Sequence, residues 1–193
     1  KAQLFGKNKE KAVRIFKGYN PDWFVDAQPK DLSEFGISPD DLVVCLVGNH
    51  RKVKGTKYYL ESSHYIKTDK KVHYILIGDH TKDETFQKMR EASPLKENIH
   101  LLGRRNDVVS ILKSSDIYVQ TSLEEGFGRA ISEAMSVGKP IVMTNAGGCT
   151  ELIDETSGIV VPVKDSKAIG VAITKLLNDD TLRIGMGKNA KKR

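Results

Sequence analysis

The sequence of 193 residues lacks most features that mark membrane-spanning, secreted or zinc-binding chains. It contains no run of about 18 apolar residues, so no segment is expected to span a membrane. No apolar stretch near its beginning resembles a secretory signal. Its two cysteines, Cys45 and Cys149, form no CxxC pair, which argues against a disulfide framework or a zinc ribbon. We therefore expect a cytoplasmic chain with two reduced, structural thiols.

Common nucleotide-binding and metal-binding signatures are missing as well. The Walker pattern GxxxxGK[ST] does not occur, and the dinucleotide pattern GxGxxG does not follow the first predicted strand. The five histidines show no metal-ligand spacing and no DxD pair occurs, so we expect no bound metal. These absences count against NAD or FAD as a cofactor and against P-loop chemistry.

Positive charge is concentrated at the two ends of the chain. The formal net charge is +6, yet residues 1–17 and 183–193 are basic enough to leave the middle of the chain acidic. This distribution argues against a nucleic-acid-binding core, which would show a basic stripe mixed with aromatic residues. Such ends suit a solvated surface, contact with an anionic membrane, or a surface that faces another part of the protein.

Short apolar runs alternate with helical patterns from residue 42 onwards. The predicted strands are LVVCLVG (42–48), VHYILIG (72–78), IHLLG (99–103), DIYVQ (116–120), PIVMT (140–144) and GIVVPV (158–163). Helical patterns occur at 55–69, 83–92, 107–115, 126–138, 165–179 and from about 180 onwards. Such βα units in series predict an α/β fold, a Rossmann-like doubly wound parallel sheet over residues 41–193. Residues 1–40 are predicted to be irregular, with a short strand at AVRIF (12–16).

The loop after the first predicted strand is a candidate phosphate site, because ligands of such sheets bind outside the carboxyl ends of the strands. This loop, GNHRKVKG (48–55), carries Arg51, Lys52 and Lys54 between two glycines. Three cations and a backbone free to turn tightly suit a diphosphate. A solvated basic loop before a helix would have the same composition.

The loop after the third predicted strand, GRRND (103–107), is a second candidate. Arg104 and Arg105 are candidates for contact with a base or a phosphate. Asp107 is expected to cap the helix that begins there.

The stretch LEEGFGRAISEAMSVGKPIVMT (123–144) joins the fourth predicted strand to the fifth. Its apolar residues recur at helical spacing and form one stripe, and Glu133 lies off that stripe, so periodicity predicts that Glu133 faces solvent. Glu125 stands just before the first predicted turn, where the positive end of the helix dipole favours a negative charge. Gly126 and Gly128 fall in that turn. Because glycine weakens a helix, they indicate backbone N–H groups left open to an anion.

Taken in order, these segments resemble the C-terminal half of a family 4 retaining glycosyltransferase of the GT-B fold. The resemblance covers about residues 42–190 and includes VGNHRKVKG, ILIGD, HLLGRRND and SGIVVPVKD. Its most specific part is the E-x7-E element of Glu125 and Glu133 with GFG inside it, followed by EAM, GKP and TNAGG. The resemblance implies transfer of a sugar from a UDP- or GDP-linked donor to an acceptor, as in the synthesis of surface polysaccharide or glycolipid.

The resemblance also implies roles for the two basic loops. An Arg and a Lys of the first loop hold the donor diphosphate in this family, and Lys54 matches that Lys. Gly48–Asn49 stands where the family has Gly-Arg, so Arg51 is the residue expected to supply the guanidinium. Lys54 and Arg51 are thereby implied in catalysis, because they would stabilise charge on the leaving diphosphate. The donor base packs near Arg104–Arg105.

The remaining implied site residues lie in and before the fourth helix. Glu125 matches a glutamate that contacts the donor sugar, which implies a part in catalysis, and Glu133 matches one that binds the ribose hydroxyls. Gly126, Phe127 and Gly128 lie where backbone N–H groups meet the sugar and phosphate. The resemblance implies no cofactor and no metal besides the nucleotide sugar itself.

A second domain is also implied, because GT-B enzymes react in a cleft between two Rossmann-like domains and this chain has room for one. We expect the N-terminal acceptor domain to be absent from this chain, residues 1–40 to be the interdomain connection, and the fragment alone to be inactive. The expected partners are the nucleotide sugar, the acceptor domain and an anionic membrane at its inner face, without nucleic acid. Two alternatives stay open: a nucleotide-sugar-binding module without turnover, and a related GT-B enzyme such as a UDP-sugar 2-epimerase.

Overall fold

Six parallel strands form one sheet in the computed structural model, which describes residues 20, 24 and 26–193. The order across the sheet is β3-β2-β1-β4-β5-β6. The strands are β1 (Leu42–Val47), β2 (Val72–Ile77), β3 (Ile99–Gly103), β4 (Ile117–Gln120), β5 (Ile141–Thr144) and β6 (Gly158–Val161). The predicted Rossmann-like, doubly wound sheet is confirmed. The strand predicted at 12–16 lies outside the described residues.

Helices connect these strands and cover both faces of the sheet. They are α1 (Thr56–Ser62), α2 (Glu84–Glu91), α3 (Val108–Lys113), α4 (Arg129–Ser136), α5 (Ser166–Asn178) and α6 (Asp180–Lys192). Asp165 caps α5 by accepting a hydrogen bond from the Ala168 N–H at 2.8 Å. None of the helices in the described part of the chain has the length and apolarity needed to cross a bilayer.

Two apolar cores lie on opposite faces of the sheet. One contains side chains from α1, α2 and α5, and the other contains side chains from α3 and α4. Along β1, Val44 belongs to the first core and Cys45 to the second. A strand whose side chains are buried on both sides has no solvent-facing positions, which explains the continuous apolar runs in the sequence. Cys45 and Cys149 are both free and buried, as expected.

The strand order reverses between β1 and β4. The chain builds outward from β1 through β2 to β3, then returns to place β4 beside the other edge of β1. At such a switch point the loops after the two strands leave toward opposite faces and open a crevice at the carboxyl ends. The fold therefore brings the loop that begins at Gly48 next to the loop that begins at Thr121.

Two helices, α1 and α4, differ from their predicted bounds by three or more residues at one end. Helix α1 ends at Ser62 and continues only as a short 3-10 turn over Ser63–Tyr65. Helix α4 begins at Arg129, after Gly128 in the left-handed region. Glu125, Gly126 and Gly128 therefore precede α4, and the prediction that the two glycines lie inside its first turn is wrong.

Part of the segment before β1 packs on the domain. Leu32 and Ile37 are buried in the core that contains α3 and α4, on either side of a 3-10 turn over Ser33–Phe35. The Lys30 N–H donates to the Ser110 carbonyl at 3.0 Å. Over residues 26–41 the chain forms no strand or α-helix, and this part of it packs against the core that contains α3 and α4.

A pair of histidines, His73 buried and His100 partly buried, lies at the opposite end of the sheet from the crevice. His73 Nδ1 lies 2.9 Å from His100 Nε2, and His73 Nε2 lies 3.0 Å from the Asp41 carboxylate. Burial, helped by the charge of its neighbours, lowers the pKa of His100 to about 4, and burial also lowers the pKa of His73. Both imidazoles are therefore held in the neutral form at pH 7, where they link Asp41 to β2 and β3.

Acidification should destabilise the protein through His100. The unfolded chain, with an ordinary histidine pKa near 6.5, binds more protons than the folded chain between about pH 6.5 and 4, so stability falls as pH decreases through that window. We expect the unfolding free energy, measured with urea, to drop by about 1–2 kcal/mol from pH 7.5 to pH 5. The drop should shrink in His100→Gln and persist in His64→Gln, an exposed control. An equal drop in both variants would assign it to other groups.

Candidate functional site

Backbone contacts join the loop after β1 to the loop after β4. The Leu123 N–H donates to the Val53 carbonyl at 2.7 Å, and the Thr121 hydroxyl donates to the Lys54 carbonyl at 3.3 Å. Gly55 adopts a left-handed conformation with φ of 59°, and a Cβ there would overlap the Thr121 carbonyl oxygen. Only glycine allows this approach, so the second glycine of GNHRKVKG is required by the contact between the loops.

An ion pair crosses this junction. Lys54 Nζ lies 2.7 Å from Glu125 Oε2, and the side chains are 30% and 13% exposed, respectively. The family resemblance predicts that both residues belong to one site, and in the structure they are in direct contact. The charge of Glu125 is thus compensated by Lys54. The prediction that Glu125 stands directly before the fourth helix is wrong, because α4 begins four residues later, at Arg129.

A second donor holds the same carboxylate oxygen. The Ser122 hydroxyl lies 3.2 Å from Glu125 Oε2 and receives a hydrogen bond from Gln120 Nε2 at 2.7 Å. The Tyr118 hydroxyl in turn donates to Gln120 Oε1 at 2.5 Å. Sequence analysis missed Tyr118 and Gln120, since both stand in an apolar strand. The only signal available was the polar Gln120 at the end of an otherwise buried run.

The loop after β5 supports this arrangement from the other side. The Thr144 hydroxyl donates to the Ser122 carbonyl at 2.5 Å, and the Glu125 N–H donates to the Ala146 carbonyl at 2.7 Å. A Cβ on Gly148 would stand 2.7 Å from the Gly126 carbonyl oxygen. The TNAGG sequence therefore provides the small residues and hydroxyl that allow this loop to pack against Glu125.

Gly126, Phe127 and Gly128 form an open turn before α4. Gly128 is buried and left-handed with φ of 75°, whereas a Cβ on Gly126 would meet nothing within 4 Å. Within the described part of the chain, the N–H groups of these three residues have no hydrogen-bond acceptor. The turn thus offers unpaired donors beside Glu125.

Glu133 lies in the second turn of α4 with a side chain that is only 16% exposed. Its Oε1 is 3.7 Å from Arg129 Nε, and burial raises the pKa of its carboxyl group above the usual value. The prediction that Glu133 faces solvent is therefore wrong in that most of its side chain is buried. The residue lies off the apolar stripe, yet neighbouring structure covers most of it.

The first half of the loop after β1 is tied to the loop after β2. Asn49 Oδ1 accepts a hydrogen bond from the Asp79 N–H at 2.9 Å, and the Gly48 N–H donates to the Ile77 carbonyl at 2.8 Å. Gly78, with φ of 149°, approaches so closely that a Cβ would overlap the Gly48 carbonyl oxygen. Asn49 is thus a structural tie between loops.

Arg51 is differently placed. It is exposed, makes no ion pair with any residue that the structure describes, and lines a cavity of about 490 Å³ together with His50 and Lys52. Its charge is therefore available to a ligand.

The side chain of Arg105 is already engaged. Its guanidinium donates to the Asp107 carboxylate at 2.8 and 2.6 Å and lies 5.6 Å from the centroid of the Phe35 ring. The hydrogen bond from Arg105 lowers the pKa of Asp107 and raises the pKa of Arg105 itself. Asp107 does not cap α3 with its side chain, contrary to the prediction. Arg104 is exposed, so of the two arginines it has the side chain that faces solvent.

No group of three or more His, Cys, Asp or Glu side chains that could hold a metal ion occurs among residues 20, 24 and 26–193.

Replacing Gly55 should destabilise the protein more than replacing another left-handed glycine. We expect Gly55→Ala to lower the unfolding free energy by on the order of 3 kcal/mol, because strain adds to a clash with the Thr121 carbonyl. Gly36→Ala is the matched control: φ is 73° there, but a Cβ would meet nothing within 4 Å, so the cost should be about 1–2 kcal/mol. Urea unfolding measures both. If both variants lost the same unfolding free energy, the contact between the Gly55 and Thr121 backbones would not contribute to stability.

Comparison with known proteins identifies the family. A family model described as glycosyl transferases group 1 matches residues 27–193. The chain is 30% identical over 169 residues to the N,N'-diacetylbacillosaminyl-diphospho-undecaprenol alpha-1,3-N-acetylgalactosaminyltransferase of Campylobacter jejuni, which covers 86% of this chain and 44% of that protein. It is 31% identical over 168 residues to the UDP-Gal:alpha-D-GlcNAc-diphosphoundecaprenol alpha-1,3-galactosyltransferase of Escherichia coli, covering 83% and 43%, respectively.

A solved structure matches in size as well as in fold. The C-terminal domain of a glycosyl transferase group 1 family protein from Francisella tularensis is 25% identical, with a TM-score of 0.77, and the match covers 91% of this chain and 95% of that one. By contrast, this chain spans less than half of the length of the two curated relatives. The chain therefore belongs to the glycosyl transferases group 1 family.

Proposed function

We propose that this chain is the donor-binding domain of a retaining glycosyltransferase and that a nucleotide-diphosphate sugar binds at the carboxyl ends of β1 and β4. The observation that carries the proposal is the contact between Lys54 and Glu125 across the joined loops. Arg51, which stands three residues before Lys54 in the same loop, makes no ion pair among the described residues, and the N–H groups of the turn after Glu125 have no acceptor among them. Cations and N–H donors bind an anion such as a diphosphate, and a carboxylate binds the hydroxyls of a sugar. A nucleotide-diphosphate sugar carries both kinds of group.

The diphosphate contacts Lys54, Arg51 and the turn at Gly126–Gly128 in this proposal. Lys54 has three N–H donors and uses one of them on Glu125, so it can donate to a phosphate oxygen without releasing the carboxylate. Bond cleavage at the anomeric carbon leaves additional negative charge on the diphosphate. Donors that are already held in place stabilise that charge with little reorganisation.

The two glutamates bind the two sugar rings of the donor. Glu125 accepts a hydrogen bond from a hydroxyl of the transferred sugar. Its negative charge also stabilises the positive charge that develops on the sugar ring as the bond to the diphosphate breaks. Glu133 binds the ribose hydroxyls, which donate hydrogen bonds to a partly buried carboxylate that accepts none from the described residues. The base lies near the Gly103–Arg104 backbone, because the Arg105 side chain is paired with Asp107.

The rest of the reaction requires a second domain. The chain spans under half of the length of these two curated relatives, and we propose that a preceding domain supplies the acceptor site. The names of both relatives specify acceptors attached to diphospho-undecaprenol, and one name specifies a UDP sugar. A UDP-linked donor and a lipid-linked acceptor at the inner face of the membrane are therefore our first choices. Titration calorimetry with UDP, GDP and ADP tests the donor site, and binding of none of them would refute it.

Lys54→Ala should weaken diphosphate binding selectively. We expect the Kd for UDP to rise roughly 10- to 100-fold, the effect of losing a charge-assisted hydrogen bond, and the Kd for uridine to stay within about twofold. Calorimetry on this chain measures both ligands. Lys175→Ala, an exposed lysine near the C-terminal end of α5, is the control and should leave both constants unchanged. If UDP and uridine weakened equally, Lys54 would not contact the phosphates.

Arg51→Ala tests whether this residue replaces the usual Gly-Arg arginine. We expect a roughly tenfold increase in the Kd for UDP, because a guanidinium contact to the phosphates is lost. The neighbouring Lys52→Ala matches it in exposure and charge and should have a smaller effect. The reverse order would assign the second cation of the diphosphate site to Lys52.

A further inference from the structure

A row of buried polar side chains leads from the sheet to the carboxylate of Glu125. Tyr118 and Gln120 belong to β4, and Ser122 follows that strand. Tyr118 and Ser122 are completely buried, and Gln120 is 3% exposed. The successive distances are 2.5 Å from Tyr118 to Gln120, 2.7 Å from Gln120 to Ser122 and 3.2 Å from Ser122 to Glu125.

The chemistry of these groups gives the row a direction. The carboxylate of Glu125 only accepts, so the Ser122 hydroxyl must donate its single proton to it. Ser122 therefore accepts from Gln120, which requires the amide nitrogen to face Ser122 and the amide oxygen to face Tyr118. The phenol of Tyr118 donates to that oxygen. Each group thus determines the orientation of the next, and the last donor points at Glu125.

Burial keeps this order intact. Burial raises the pKa of Tyr118 well above the usual tyrosine value, and the negative charges of Glu133 and Glu125 add to the effect, so the phenol stays protonated and remains a donor. Thr144 also holds the backbone, since its hydroxyl lies 3.3 Å from the Gln120 carbonyl and 2.5 Å from the Ser122 carbonyl.

The two carboxylate oxygens of Glu125 differ in the hydrogen bonds that they accept. Oε2 accepts from both Lys54 and Ser122, at 2.7 and 3.2 Å. Oε1 accepts from no residue in the described part of the chain. We infer that Tyr118, Gln120 and Ser122 are positioning residues, which fix Glu125 so that Oε1 is presented to a hydroxyl of the donor sugar. The sugar contact rests on the proposed function, whereas the hydrogen-bonded row does not.

Carboxyl ¹³C NMR of the unliganded chain tests the row by itself. With glutamate labelled and the Glu125 resonance assigned through Glu125→Gln, we expect Ser122→Ala, Gln120→Met and Tyr118→Phe each to shift it. Tyr118 does not touch Glu125, so its effect has to pass through a Gln120 amide that is no longer held in one orientation. Tyr74→Phe is the control, because it removes a hydroxyl from an equally buried tyrosine of β2 that has no link to Glu125.

Calorimetry with UDP and UDP-galactose tests the consequence. In the unaltered chain we expect UDP-galactose to bind more tightly than UDP through the Glu125 contact. Tyr118→Phe and Gln120→Met should reduce that advantage by about threefold to tenfold, the value of one hydrogen bond, and leave the Kd for UDP unchanged. A purely structural role would weaken both ligands together, and thermal unfolding checks that each variant is folded.

The two hypotheses fail in distinguishable ways. A Glu125 resonance that does not move in folded Tyr118→Phe and Gln120→Met overturns the row. An unchanged advantage of UDP-galactose over UDP in those variants overturns its role in positioning. If the resonance moves but the unaltered chain binds none of UDP, GDP, ADP and UDP-galactose, the row stands and the proposed donor site is wrong.

Discussion

The direct contact between the loops after β1 and β4 is the constraint on which the candidate site depends. The strand order makes β1 and β4 neighbours, and the absent side chain of Gly55 lets the two backbones touch. Lys54 and Glu125, 71 residues apart in the chain, then meet at 2.7 Å. The remaining features are arranged around this junction: the open turn at Gly126–Gly128 begins beside it, and the loop after β5 packs behind it.

The ion pair at this junction is partly buried, and this burial determines how much it contributes to stability. A carboxylate with 13% exposure has lost most of its hydration, and two donors, Lys54 and Ser122, offset that loss. The pair therefore contributes a fixed geometry more than net stability. In the proposed function Lys54 contacts the diphosphate and also holds Glu125, which contacts the sugar. One side chain therefore takes part in the recognition of both groups.

The two glutamates of the E-x7-E element occupy unlike environments. Glu125 is held on one oxygen by two donors, whereas Glu133 has Arg129 as its nearest cation at 3.7 Å and a pKa raised by burial. One carboxylate is oriented in advance. The other accepts no hydrogen bond at its carboxylate from any residue that the structure describes, and in the proposed function the ribose hydroxyls donate to it. The same spacing in sequence thus produces one carboxylate held by two hydrogen-bond donors and one whose nearest described cation is Arg129 at 3.7 Å.

The sequence by itself determined the sheet, the class of fold and most of the residues near the crevice. Alternating apolar runs and helical patterns depend on local periodicity, and burial of each parallel strand on both faces makes that signal strong. Only the tertiary structure decided which charges are paired and which are open. Lys54 is bound to Glu125, Arg105 is bound to Asp107 and Arg51 has no such partner among the described residues, although all three look alike in sequence. The row from Tyr118 to Ser122 was equally invisible, because hydrogen bonds between side chains depend on distances and directions that periodicity does not encode.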